Sequence, residues 1–241
     1  MTANATPTVV LVHGAFADAS SWSGVIADLQ DHGIPVVAPP NPLRGLASDA
    51  AYVASVAARI DGPVVLAGHS YGGALITVAG TAGNVAGLVY VAAYAPDEGE
   101  SLGELQGRYA EPPLAGALRP ADYPLPDGGT AVEFTIDAGA FPSVFAADVP
   151  AEVTRVLAVA QRPLAASAFT EPASAAAWKA KPSWALVATG DQAINPEVQR
   201  FGARRAGATI VEAEGASHAV AVSRPKDVAA LIREAVEATS A

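Results

Sequence analysis

From Thr8 to Ala213 the chain repeats one alternation. A short apolar, largely β-branched run is followed by a stretch whose apolar residues recur every three or four positions. The runs Thr8–Val12, Ile34–Ala38, Val64–Ala67, Ala86–Ala92, Trp184–Ala188 and Thr209–Ala213 read as strands of a parallel sheet, where both faces are covered and the sequence is apolar almost throughout. Ser21–Gln30 carries Trp22, Val25, Ile26 and Leu29 at helical spacing. Ser48–Ile60 does the same with Tyr52, Val56 and Ile60, and Ser48 is the expected N-cap. Further helices are expected over Ala74–Ala79, Pro196–Ala206 and Pro225–Thr239, the last opening on a proline where a helix tolerates one. The pattern predicts a doubly wound α/β sheet.

One connection departs from that rhythm. Between Asp97 and Pro182 prolines are frequent and no clear sheet strand appears. A structureless loop of that length would be improbable. The segment therefore reads as a mostly helical insertion at 98–182 in a single 1–241 domain, with a hairpin over VEFTIDAGAFPSV and a helix from Asp148 onward. Insertions at the carboxyl edge of such sheets commonly roof the ligand crevice.

Composition narrows the chemistry. Fourteen basic residues against 24 acidic ones give a net charge of −10, which argues against nucleic acid or an anionic membrane as partner. No run approaches the roughly 18 apolar residues of a membrane span, and the first residues lack a basic and apolar leader pattern, so a cytoplasmic protein is expected. The absence of cysteine excludes disulfides, thiolate metal sites and a cysteine nucleophile. With four histidines and no clustering among them, neither a metal nor another cofactor is expected. The oligomeric state is left open, a homodimer included.

The most informative stretch is GPVVLAGHSYGGALITVAG, Gly62 to Gly80. An apolar strand runs into Gly68-His69-Ser70-Tyr71-Gly72, and a helix of small residues follows. This is the spacing of a nucleophile elbow, in which a serine sits on a sharp strand-to-helix turn and side chains two positions either side would collide with neighbouring backbone. Ser70 is the candidate nucleophile. It needs a base, and the base a carboxylate, in the chain order Ser, acid, His. His218, in the loop after the last strand, is the one histidine downstream of Ser70. His69 points wrongly for a base, His32 reads as a solvated loop residue, and His13 as a support for the loop it begins. For the acid, Asp191 follows the fifth strand and is favoured over Asp97, which follows the fourth. An oxyanion hole needs two backbone N–H groups. Tyr71, directly after the serine, supplies one, and the loop after the first strand the other, at Ala15 in preference to Phe16. Gly14 lets that backbone approach a ligand.

With LVHGAFADASSW, GHSYGG, YVAAYAPDEGES, ATGDQAINPEVQRF and EGASHAV in this order, the chain resembles the α/β-hydrolase superfamily over essentially its whole length. Within it, the resemblance is to the capped group of methyl-salicylate esterases and hydroxynitrile lyases, and still more to a group of bacterial hydrolases. It implies a Ser70–Asp191–His218 triad, oxyanion donors at Ala15 and Tyr71, a helical cap and a six-stranded core without the opening hairpin of larger relatives. The lyases of that group carry threonine where this chain has Gly14 and lysine where it has Ala219, which argues against cyanohydrin chemistry. The expected activity is hydrolysis of small carboxylic esters or lactones. The alternatives are a lyase-like enzyme and a non-catalytic ligand-binding protein of the same fold.

Overall fold

A computed structural model describes residues 6–240. The strands β1 (Thr8–Val12), β2 (Val36–Val37), β3 (Val64–His69), β4 (Val85–Val91), β8 (Ser183–Ala188) and β9 (Thr209–Ala213) build its central sheet. That sheet is six-stranded and wholly parallel, in the order β2-β1-β3-β4-β8-β9. The alternation of side chains along a strand divides the core into two layers. Val10, Val12, Val64 and Leu66 join the cluster on one face; Val9, Leu11, Val65 and Ala67 join that on the other. Helices α2 (Leu46–Ala58), α3 (Tyr71–Ala79) and α9 (Pro196–Arg205) cover the first face, and α1 (Ser23–Asp31) and α11 (Pro225–Thr239) the second. No helix among the described residues is long and apolar enough to cross a membrane.

This strand order places the chemistry. The chain leaves β1 towards one edge and β3 towards the other, so the connections diverge between their carboxyl ends. Ligands of open α/β sheets bind at that crevice. The loop beginning at His13 follows β1, and Ser70 follows β3.

All six expected strands form, although Ile34–Ala38 contracts to the two residues Val36–Val37 at the sheet edge. Ser48 is not an N-cap. Helix α2 begins at Leu46, two residues earlier, because the Glu171 carboxylate accepts the Ala47 N–H at 3.0 Å and Asp49 accepts those of Arg44 and Gly45. The Ser48 hydroxyl instead donates to the Gly45 carbonyl within the first turn.

Between β4 and β8 lie α4 (Leu102–Gln106), α5 (Leu114–Ala117), β5 (Leu118–Pro124), β6 (Thr130–Ile136), α6 (Phe141–Phe145), α7 (Ala151–Leu157), β7 (Leu164–Ala165) and α8 (Ser167–Thr170). Short helices predominate, but β5, β6 and β7 form an antiparallel sheet that the sequence pattern does not show. The hairpin expected over VEFTIDAGAFPSV has its first strand in β6 and the wrong partner. β6 pairs upstream with β5 through the Asp127-Gly128-Gly129 turn, while Phe141 onward forms α6. Pro120 and Pro124 disguise β5 as loop; as the edge strand of its sheet it can spare the missing N–H groups. Past β9, the short helix α10 (Val220–Ser223) leads into α11.

Candidate active site

The turn at Ser70 has the geometry that its glycines require. Ser70 lies at φ 55°, ψ −121°, a region costly for a residue with a side chain, and α3 begins at Tyr71. A Cβ on Gly68 would stand 2.4 Å from the Gly72 carbonyl oxygen, and one on Gly72 would stand 2.3 Å from that of Val12. Gly14 is equally confined, since a Cβ there would meet the Ser70 Cβ at 2.7 Å. The strained turn and the loop after β1 are therefore locked together by close backbone approach.

Asp191 and His218 come together. His218 Nδ1 donates to Asp191 Oδ2 at 2.6 Å, and both side chains are buried. With the proton on Nδ1, the other ring nitrogen, Nε2, is the acceptor. Asp191 is held from all sides. Its Oδ1 accepts the N–H groups of Ala193 (2.7 Å) and Ile194 (2.9 Å), and its Oδ2 accepts also from Gln199 Nε2 at 2.7 Å. Gln199, on α9, is itself fixed because its Oε1 accepts the Ala188 N–H at 3.0 Å. Asp97, the rival carboxylate, faces solvent, where Lys179 pairs with it at 2.5 Å and holds its carboxyl below the usual range.

The remaining histidines separate by environment. His32 is exposed at the end of α1 and bonds the Asp28 carbonyl. His13 is buried, donates from Nδ1 to the Gly14 carbonyl and accepts the Asn41 N–H at Nε2; burial depresses its pKa. His69 is also buried, donating from Nε2 to the His218 carbonyl at 2.8 Å with its ring 4.7 Å from that of His218. Burial, followed by the neighbouring His218, pushes its pKa down to about 3, so it stays neutral.

Ser70 and His218 line one cavity of about 20 Å³, room for about one water molecule. No acceptor among the described residues takes the Ala15 N–H, whereas the Phe16 N–H donates to the Arg162 carbonyl at 3.1 Å. Tyr71, at the first position of α3, has its N–H unspent by the helix. The cavity wall is otherwise apolar: Leu102, Leu114, Phe145, Leu164 and Phe169, all between β4 and β8, join Ile194. Phe145 packs edge-on to the His218 ring at 4.9 Å. A larger groove of about 720 Å³ lies beside Asp97, Glu100 and Arg205, and neither Ser70 nor His218 lines it. No group of three or more metal-capable side chains forms among the described residues.

Gln199, the His69 contact with the His218 loop and the buried Asp49 beneath Tyr71 are not foreshadowed by the sequence pattern. His69 is visible as a member of the elbow motif, but its bond to the His218 carbonyl is not. Gln199 occupies a helix face that spacing alone marks as solvent or core.

The profile described as "Alpha/beta hydrolase family" matches residues 9–231. Among curated proteins none matches the chain. Among solved structures, polyneuridine aldehyde esterase superimposes with a TM-score of 0.83 at 19% identity, over 95% of this chain and 99% of that one. A pyrethroid hydrolase from Sphingobium faniae JZ-2 gives 0.77 at 24% identity, over 96% and 98%. Tomato methylketone synthase I, complexed with 2-tridecanone, gives 0.78 at 17%, over 98% and 99%. At such identities the likeness establishes the fold.

Proposed function

This chain belongs to the alpha/beta hydrolase family, and from that premise we propose that it is a serine hydrolase cleaving small, uncharged carboxylic esters or lactones through an acyl-enzyme on Ser70. The observation that carries the reading is the buried 2.6 Å bond from His218 Nδ1 to Asp191 Oδ2, on a histidine that shares its cavity with Ser70. Such a bond orients the imidazole with Nε2 as acceptor and stabilises the imidazolium formed during reaction.

Ser70 Oγ attacks the ester carbonyl carbon while its proton passes to His218 Nε2. The N–H groups of Ala15 and Tyr71 receive the oxyanion of the tetrahedral adduct. Collapse breaks the bond to the alkoxide oxygen, which leaves with the proton from His218. Water then attacks the acyl carbonyl and gives its proton to His218; collapse of this second adduct breaks the bond to Ser70 Oγ, which takes that proton back as the acid is released. The 98–182 segment acts as a cap. Its side chains roof the cavity so closely that an ester enters only when some of them move aside.

The lining supports the substrate class. Among the described residues no lysine or arginine borders the cavity, and its two phenols are engaged, Tyr71 with Asp49 and Tyr94 with Gln106. An anionic acyl group would find no partner there. Ala219 stands at the position where the related lyases carry lysine, and its N–H is taken by the Phe145 carbonyl. This favours hydrolysis over cyanohydrin cleavage.

The test is fluorophosphonate labelling together with a panel of esters, lactones and amides, using wild type and Ser70→Ala. Labelling at Ser70 alone and loss of turnover in Ser70→Ala are expected. Labelling or turnover of Ser70→Ala at the wild-type rate would overturn the assignment.

A further inference from the structure

Asp49 is a fully buried carboxylate in the first turn of α2, and no cation pairs with it among the described residues; Arg44, the nearest in sequence, reaches out to Glu133 at 2.6 Å. Burial raises its pKa. Three donors converge on it instead: the backbone N–H of Arg44 (3.0 Å) and of Gly45 (3.4 Å) and the Tyr71 phenol (2.9 Å). An arrangement of donors only suits the ionised form, and the amino end of α2 adds a favourable dipole. A buried charge is expensive, and an apolar side chain would fill this space at lower cost.

What Asp49 connects gives the charge a use. Tyr71 carries one of the two N–H groups assigned to the oxyanion hole, and its ring is anchored through the phenol to Asp49. The other group, on Ala15, belongs to the loop that starts at His13. His13 is clamped by Asn41, whose N–H donates to His13 Nε2 at 3.0 Å and whose Nδ2 donates to the His13 carbonyl at 2.6 Å. Asn41 Oδ1 in turn accepts the Leu43 N–H at 3.1 Å, at the head of the turn whose Arg44 and Gly45 N–H groups Asp49 holds. The same turn reaches the roof of the site, because the Leu43 carbonyl accepts the N–H of Ala165, next to the cavity residue Leu164. Leu43 itself is held at φ 59°, strain that the surrounding bonds must maintain.

We propose that Asp49 is a positioning residue for the oxyanion hole, fixing the Tyr71 N–H through the phenol and the Ala15 N–H through the 41–45 turn. The proposal rests on the serine-hydrolase reading above. Removing a whole oxyanion donor costs about 10²–10³ in turnover. Misplacing donors that remain present should cost less, on the order of tenfold.

The test compares wild type with Asp49→Asn, Tyr71→Phe and the double variant. The readouts are kcat and KM for p-nitrophenyl acetate, the rate of fluorophosphonate labelling at Ser70, and circular dichroism to establish folding. Both single variants should lose about tenfold in kcat and in labelling rate while KM moves less than about twofold, because the loss falls on the transition state. The double variant should lose no more than the worse single variant, since both cut one chain of bonds. Tyr71→Phe keeps the ring in the core, so it carries the test if Asp49→Asn does not fold. Folded variants with wild-type kcat and labelling, losses confined to KM, or additive losses would overturn the proposal. A wild type that fluorophosphonate does not label would instead sink the nucleophile assignment.

Discussion

Replacing Asp191 with asparagine is the sharpest perturbation of the proposed triad, because the structure states what each atom would lose. Asp191 accepts four bonds: two backbone N–H groups at Oδ1, and Gln199 Nε2 and His218 Nδ1 at Oδ2. Asparagine keeps one oxygen, which the rigid backbone donors claim. Its amide nitrogen then faces two donors. His218 can answer only by taking the tautomer with its proton on Nε2, which no longer accepts from Ser70. In a serine-protease triad the same aspartate-to-asparagine change costs about 10⁴ in turnover. Here a loss of at least roughly 10² is expected, since rotation of the amide or a water can partly restore the tautomer. Gln199 cannot turn to help without abandoning the Ala188 N–H. One buried polar group is left unpaired, at about 1–3 kcal/mol, which lowers Tm by roughly 2–12 °C in a chain of this size. Asp97→Asn removes only a solvent-facing ion pair with Lys179 and should change turnover by less than about tenfold. Initial rates with p-nitrophenyl acetate, beside thermal melts, separate the outcomes. A folded Asp191→Asn protein within tenfold of wild type, or a larger loss in Asp97→Asn, would refute the reasoning.

Two further outcomes are expected. His69 is neutral and buried with its pKa depressed to about 3, whereas the unfolded chain takes up that proton near pH 6.5. Its contribution to stability is therefore complete above about pH 6.5 and is lost as pH falls from there towards 3. Urea midpoints measured from pH 7.5 to 4.5 should decline, and His69→Asn should flatten the decline; an equal slope in both proteins would count against it. Prolonged EDTA treatment should leave ester turnover unchanged, and a loss restored by added zinc would show that the Ser70 mechanism is incomplete.

Much of the architecture was legible because it rests on local rules. A buried parallel strand must be apolar, so β1 could be bounded to the residue from the run TVVLV, while β9, an edge strand with only Ala213 buried, could be bounded from the β-branched run TIVEA. The elbow was legible for a steric reason: a strained serine packed against β1 leaves no room for a Cβ at Gly68 or Gly72, and only glycine satisfies that. The proposed order Ser70, Asp191, His218 rests on where the loops leave the sheet. Other features depend on atoms that meet across long separations. The choice between Asp191 and Asp97 was weighted by sequence, but their different surroundings emerge only when α9 delivers Gln199 to one and leaves the other in solvent beside Lys179. The N-terminus of α2 shifted from Ser48 because Glu171, more than a hundred residues away, supplies the cap. The antiparallel sheet between β4 and β8 was hidden since prolines are tolerated on an edge, and being an edge is a property of the assembled sheet. The link from Asp49 through Tyr71 to the Ser70 turn belongs to the same class. A lone aspartate in a helix pattern reads as surface until folding removes the water around it, and after that its donors decide what it does.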